Sequence, residues 1–175
     1  MKKTYKYIWL LPVFVFIQVL ILNEVQFLSY INPLFYITLI IILPQNTQKW
    51  FLLVFSFILG LMIDLFENNL GLHASASVLL AFMKPKIEKI SIQKNSIDLK
   101  EEMNLQILGI RTFSIYTVIL IIIHHGYIFL LQSQNINNHL LIKTIFSSII
   151  TYVLIIIVQL FIFLFCAQIS EEIVL

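Results

Sequence analysis

The sequence predicts an all-α polytopic membrane protein, a six-transmembrane-helix bundle, and three observations support this fold class. First, 60% of the 175 residues are hydrophobic and only 11% are charged, whereas a soluble domain carries about 25% charged residues. Second, apolar runs recur along the chain, and a helix that crosses a membrane needs about 20 such residues. Third, the basic residues cluster beside alternate runs, as they do on the cytosolic side of membrane proteins.

The apolar runs divide a single membrane domain, residues 1–175, into six predicted spans. We expect the spans at residues 7–23, 27–43, 50–66, 71–83, 110–131 and 140–168, with a cytosolic loop at residues 84–109. The first run follows a basic start, as in a signal peptide, but no small-residue cleavage site follows it, so we expect it to remain as the first helix. The loop is either a solvated connector or a docking surface for a cytosolic partner.

The second segment determines the topology. Its strongly apolar part, residues 34–43, lies between Pro33 and Pro44 and would rise only about 15 Å as a helix. If the segment crosses, 10 of the 11 basic residues are cytosolic and only Lys143 lies outside. If it dips in and returns, seven basic residues lie outside and four inside. The preference of basic residues for the cytosol therefore favours six crossings, with both termini cytosolic.

Small residues predict close packing of the third and fourth spans. They recur four residues apart, a spacing that lets two helix backbones approach where lipid supplies no hydrophobic drive. The connection between these spans, residues 67–71, contains two asparagines and a glycine, which predicts a turn and hence an antiparallel hairpin. The predicted packing residues are Ser56 with Gly60, Gly71 with Ser75, and Ser77 with Ala81.

Ionisable side chains occur at membrane depth in the third and fifth spans. Such groups cost about 3 kcal/mol at the centre of a helix, so they usually face the bundle interior and have partners. Asp64 lies at a similar depth to His124 and His125, and His73 lies at the start of the fourth span. These residues predict a polar cluster or shallow cavity that opens outward. The favoured interpretation is a hydrogen bond from Asp64 to a histidine of the fifth span, with a ligand pocket or proton relay as alternatives.

The same residues give little support to catalysis or metal binding. Adjacent histidines point about 100° apart on a helix, and the chain lacks a His and Glu pair four residues apart in the pattern of a metal site. No serine nucleophile lies in a glycine-flanked motif with a histidine base. We therefore expect no metal, no haem or other cofactor and no enzymatic activity. The net charge of +2 is too small to indicate a nucleic-acid partner.

Short motifs in and around the predicted hairpin resemble those of one membrane-protein family. Within the hairpin the motifs are Gly60-Leu61-Met62-Ile63-Asp64 and Gly71-Leu72-His73-Ala74. Outside it they are Asn32-Pro33-Leu34-Phe35-Tyr36, Leu43-Pro44 and His124-His125. Together they resemble the MreD family, the rod shape-determining membrane proteins. The residues that match the family pattern are Gly60, Asp64, Gly71 and His73, and more loosely His124 and His125.

The resemblance implies a non-enzymatic scaffold of the bacterial cell-elongation machinery, the elongasome, which maintains rod shape. MreD-like proteins lie in the inner membrane with MreC, MreB and RodA with its class B penicillin-binding transpeptidase, and they organise peptidoglycan synthesis. The resemblance also implies a fold similar to the substrate-binding subunit of energy-coupling-factor transporters. The alternative function is therefore a solute-binding membrane subunit of a vitamin-type transporter, and a small proton-coupled transporter is a third.

Overall fold

The described part of the chain is largely helical. The computed structural model describes residues 6–24, 31–69, 71–92, 102–133 and 138–174, without the side chains of residues 139 and 166–174. The α-helices in these ranges are α1 (Lys6–Ile17), α2 (Thr38–Ile41), α3 (Lys49–Glu67), α4 (Leu72–Ser91), α5 (Leu105–Gln132) and α6 (Asn138–Val174). A π-helical turn, Gln18–Leu22, extends α1, and a 3-10 turn, Phe35–Ile37, leads into α2. The predicted all-helical class is confirmed.

Within the described residues, three helices are long and apolar enough to cross a membrane. They are α3, α5 and the segment Leu140–Phe165 of α6, with 19, 28 and 26 residues. The shorter apolar helix Lys6–Leu22 would rise about 26 Å, slightly less than the ~30 Å thickness of the hydrocarbon core. The protein is therefore a helical membrane protein, while its division into six spans stays a prediction.

The predicted second span differs most from the structure. Instead of one helix over residues 27–43, the described part of this region holds the three-residue 3-10 turn and the four-residue α2. Residues 33–44, here named the core segment, are all buried and contact α1, α4 and α6. Pro33 and Pro44 limit the helix because proline disfavours helical backbone before it and lacks an N–H. A segment that is apolar on every side is buried on every side, so this one forms the centre of the bundle.

Gly60 lies directly against the start of α4, where α3 and α4 pack as an antiparallel hairpin. A Cβ atom at Gly60 would lie 2.4 Å from the carbonyl oxygen of His73 and 2.6 Å from the Cα of Ala74. A larger residue would therefore push the two helices apart. Of the other predicted packing residues, Ser56, Ser77 and Ala81 are buried along this hairpin.

Gly71 and Ser75 do not take the packing role expected from their spacing. Gly71 precedes α4 with φ of 79°, a left-handed conformation that favours glycine, and no heavy atom lies within 4 Å of where its Cβ would be. Ser75 is half-buried, and its hydroxyl donates to the carbonyl oxygen of Leu72 at 2.9 Å. Gly71 therefore shapes the turn. Its spacing from Ser75 could not distinguish this role from packing, because packing glycines and turn glycines can share the same spacing.

α4 continues beyond the predicted end of the fourth span at residue 83. It runs through Pro85, so the first part of the predicted cytosolic loop is helical. Lys84 and Glu88, both buried, form an ion pair one helical turn apart in this extension. α5 begins at Leu105, and a kink at Gly109, where φ is 71°, separates its first turn from the span predicted to begin at residue 110.

Candidate functional site

Four side chains form a continuous series of hydrogen bonds through the bundle, here named the polar chain. Glu67 Oε2 lies 2.9 Å from Nε2 of His73. Nδ1 of His73 lies 3.0 Å from the Tyr36 hydroxyl, which lies 2.9 Å from Nε2 of His124. Tyr36 and His124 are fully buried and His73 nearly so, while the Glu67 side chain keeps 18% exposure. The polar chain thus joins α3, α4, the core segment and α5.

The carboxylate of Glu67 sets the direction of each hydrogen bond in the polar chain. An ionised carboxylate only accepts, so His73 donates from Nε2. Nδ1 of a neutral His73 then accepts from the Tyr36 hydroxyl. The hydroxyl oxygen accepts from Nε2 of His124, whose Nδ1 is left as an acceptor. This nitrogen is buried and lacks a hydrogen-bond partner within the described part of the protein.

Three amide side chains support the polar chain at Glu67 and Tyr36. Asn23 Nδ2 donates to one carboxylate oxygen of Glu67 at 2.7 Å, and Asn69 Nδ2 donates to the other at 2.8 Å. Gln18, buried in the π-helical turn, donates to Asn23 Oδ1 at 2.9 Å and accepts from the backbone N–H of Tyr36 at 3.3 Å. The π-helical turn therefore places an amide where it connects α1 to the core segment.

Asp64 caps α4, and the predicted hydrogen bond to His124 or His125 is wrong. Its two carboxylate oxygens accept from the backbone N–H groups of His73 at 2.9 Å and Ala74 at 2.8 Å. The first N–H groups of a helix have no partner within it, and the positive end of the helix dipole favours a carboxylate. Counting residues along the helices placed Asp64 at the same depth as the histidines, but it did not show which side of α3 the Asp64 side chain occupies. The side chain lies on the side of α3 that faces α4.

His125 forms hydrogen bonds with different residues from those that contact its neighbour His124. Its Nδ1 donates to the carbonyl oxygen of Ile121 at 3.1 Å, so its Nε2 accepts from the hydroxyl of Thr151 at 3.1 Å. The Thr151 oxygen also accepts from the backbone N–H of Leu34 at 3.1 Å. The adjacent histidines therefore point to different helices, as expected from their angular separation, and His125 joins α5 to α6 and to the core segment.

A second buried polar group holds the other end of the core segment. Lys84 pairs with Glu88 and donates to the carbonyl oxygen of Leu43 at 2.9 Å. The Tyr116 hydroxyl donates to the carbonyl oxygen of Ile41 at 2.9 Å. These donors satisfy carbonyls that the short α2 leaves unpaired at its C-terminal end. The core segment is thus fixed by side chains at both ends.

Sequence reasoning missed Tyr36, Glu67 and Gln18 as members of the site. Tyr36 counted as one more apolar residue of a short run, and Glu67 as part of an exposed turn. The available signal was the tight turn itself, because it brings Glu67 at the end of one helix beside His73 at the start of the next. For Gln18 the signal was its position as the one amide inside the first apolar run.

The site and the fold define the class of this protein: an all-helical membrane protein whose polar interior connects its helices to a buried central segment. Across the described ranges, no group of three or more His, Cys, Asp or Glu side chains could hold a metal ion. In comparisons with protein-family models, curated proteins and solved structures, nothing matches the chain. The resemblance to the MreD family therefore rests on the short motifs of the sequence alone.

Proposed function

We propose that this protein is a non-enzymatic membrane scaffold of the MreD type. In this role it organises MreC, MreB and RodA with its class B penicillin-binding transpeptidase in the inner membrane of a rod-shaped bacterium. The observation that carries the proposal is that the four residues matching the family pattern all shape the start of α4 within a single hairpin. Their contacts determine the shape of the hairpin, which is the property that a scaffold needs.

Each of these four residues has one structural task at the start of α4. Gly60 gives α3 room beside the backbone of His73, and Asp64 caps the first turn of α4. Gly71 supplies the left-handed residue before the helix. The ring nitrogens of His73 form hydrogen bonds with Tyr36 and Glu67. A pattern whose members all fix one hairpin supports a role in presenting a helical surface.

The burial of the polar chain also favours a scaffold over a solute-binding subunit. His73, Tyr36 and His124 are at most 1% exposed, and within the described residues their side chains form hydrogen bonds to one another and to Glu67. Apart from Nδ1 of His124, the polar atoms of these side chains are thus occupied by protein groups. α6, by contrast, exposes large apolar side chains along its length, among them Leu141, Ile149, Ile157 and Phe161.

Depletion and co-purification test the scaffold directly. Cells depleted of the protein should lose rod shape and become rounded, and the protein purified in mild detergent should bring MreC and RodA with it. Uptake of vitamins should be unchanged. Cells that stay rod-shaped but lose uptake of one nutrient, or a preparation that contains a pair of ATPase subunits, would overturn the proposal.

One observation favours the alternative, a solute-binding membrane subunit. Within the described residues, Nδ1 of His124 and the hydroxyls of Ser56, Ser77 and Thr117 are buried polar atoms without a hydrogen-bond partner. Such atoms can bind a small polar molecule inside a bundle. Equilibrium dialysis of the purified protein against labelled vitamins distinguishes the two functions, since a scaffold retains none of them.

A further inference from the structure

A shallow apolar groove lies between α5 and α6 on the surface of the bundle. It encloses about 190 Å³, and its lining residues are Val118, Ile121, Ile122, Thr144, Ile145, Ser148, Ile149 and Tyr152. From Thr144 to Tyr152 it extends about 12 Å along α6. The groove is far too small for an α-helix, whose diameter with side chains is about 10 Å. Its volume and length suit part of one hydrocarbon chain lying along the helices.

Gly126 lies beyond the lining residues of the groove, toward the end of α5. Ile122, Gly126 and Phe129 follow one another at spacings of four and three residues, so they share one face of α5. Among the described residues, apart from the chain neighbours and the backbone of α5 itself, no heavy atom lies within 4 Å of where a Cβ atom at Gly126 would be. A larger side chain at Gly126 would therefore extend over this face of α5 without meeting another described residue.

A cation lies at this open end of the groove. Nζ of Lys143, next to Thr144 in sequence, lies 4.6 Å from the centre of the Phe129 ring. The side chain is half-buried, and within the described ranges it has no acidic partner. A cation at membrane depth is costly unless an anion accompanies it. An apolar groove with an unpaired cation at one end matches an acyl chain that carries an anionic headgroup.

Lys143 is also the only Lys or Arg at its end of the bundle among the described residues. The polar chain connects the start of α4 to the last third of α5, so the α3–α4 turn and the α5–α6 connection share one end. The other described basic residues lie at the opposite end, on α1, at the start of α3, in the last part of α4 and near the start of α5. Selection of an anion at this end therefore depends on Lys143.

We propose that the groove between α5 and α6 binds one anionic phospholipid, with an acyl chain along Ile122, Ile145 and Ile149 and the phosphate beside Lys143. Binding orders the face of the bundle that α5 and α6 share. This proposal does not depend on the scaffold function, because it follows from the groove and the cation alone.

Tryptophan quenching by brominated lipids tests the site in reconstituted full-length protein. The two native tryptophans, Trp9 and Trp50, are exposed and are replaced by phenylalanine. Ile149→Trp then reports on the groove, and Ile58→Trp, near the middle of α3, reports on ordinary lipid contact. Ile149 and Ile58 are 52% and 43% exposed, so both reporters reach lipid. Vesicles contain dioleoylphosphatidylcholine with brominated phosphatidylglycerol or, in the reference series, brominated phosphatidylcholine.

We expect the groove reporter to prefer phosphatidylglycerol over phosphatidylcholine by about fivefold, the effect of one lysine on an anionic lipid. The reporter on α3 should show no preference. Lys143→Gln and Gly126→Leu should each bring the ratio at Ile149→Trp close to one. Gly126→Leu extends into open space, so it tests the groove without removing the charge.

Lys86→Gln is the matched control for the loss of charge. Lys86 also lies over an aromatic ring, with Nζ 4.5 Å from the centre of Phe82, but it lies on α4 away from the groove. Its replacement should leave the fivefold preference unchanged. Equal preference at the two reporters, a preference that survives Lys143→Gln, or a groove reporter that neither brominated lipid quenches would each overturn the proposal.

Discussion

The Oε2 atom of Glu67 lies 2.9 Å from Nε2 of His73, and this one contact orders the protons along the polar chain. Because the carboxylate only accepts, each later hydrogen bond has one allowed direction while the imidazoles are neutral. The contact also spans the turn between α3 and α4. The turn geometry and the proton positions inside the bundle are therefore fixed by the same pair.

The first prediction concerns the tautomer of His124. We expect His124 to carry its proton on Nε2 and to keep Nδ1 unprotonated, because Nε2 donates to Tyr36. Nitrogen chemical shifts of ¹⁵N-labelled histidines in the protein near pH 7 give the protonated atom directly. Tyr36→Phe should release His124 from this tautomer and leave His73 protonated on Nε2. A wild-type His124 protonated on Nδ1 would contradict the direction assigned to the polar chain.

The hairpin shows how much of the site the sequence could predict. The spacing of Ser56 and Gly60 predicted close approach to α4, and a Cβ at Gly60 would indeed collide with the α4 backbone. The depth of Asp64 was also sufficient to expect a buried partner. Its partner was not predictable, since residues at one depth differ in direction around the helix. Asp64 accepts from the first N–H groups of α4, which have no partner within their own helix.

The core segment shows the opposite limit. Hydropathy identified residues 34–43 as an apolar run, but burial by protein and burial by lipid select the same residue types. Only the pair of prolines and the short length distinguished a central segment from a span. Tyr36 is the clearest case, because a buried phenol is recognised as part of a polar site only when its partners are known. Both partners of the Tyr36 hydroxyl come from other helices.

The second prediction is that Asp64→Asn destabilises the protein through the cap of α4. The amide has one acceptor oxygen in place of two, so one N–H of His73 or Ala74 loses its partner. We expect the free energy of unfolding, measured by SDS titration in mixed micelles, to fall by about 1–3 kcal/mol, the cost of leaving one buried N–H without its partner. Cellular abundance should fall with it. A normal amount of stable protein with lost rod shape would instead indicate that Asp64 acts directly on a partner.

The third prediction compares alanine at two glycines. Gly60→Ala places a methyl group against the α4 backbone, and overpacking of this kind costs about 1–3 kcal/mol. Gly126→Ala places the same group in open space on a helix, where alanine is favoured over glycine by about 1 kcal/mol. The two substitutions should therefore change the unfolding free energy in opposite directions. A similar loss at both positions would show that Gly60 has no special packing role.

The fourth prediction concerns the buried pair of Lys84 and Glu88. Lys84→Met leaves the Glu88 carboxylate buried without its cation and removes the donor to the Leu43 carbonyl. Breaking a buried pair in this way costs about 3–5 kcal/mol, and the same SDS titration measures it. The double variant Lys84→Met with Glu88→Leu should recover most of that loss, because apolar replacement of both members of a buried pair is often neutral.

The pair of Lys6 and Glu102 provides the control for this experiment. It joins α1 to the chain just before α5, but its side chains are 50% and 30% exposed, and exposed pairs contribute about 0–1 kcal/mol. Lys6→Met should therefore have a small effect. If Lys84→Met were equally mild, the pair would not anchor the core segment, and the carbonyl of Leu43 would need another donor. A large loss at Lys84→Met beside a small loss at Lys6→Met would show that burial of the pair sets the cost of breaking it.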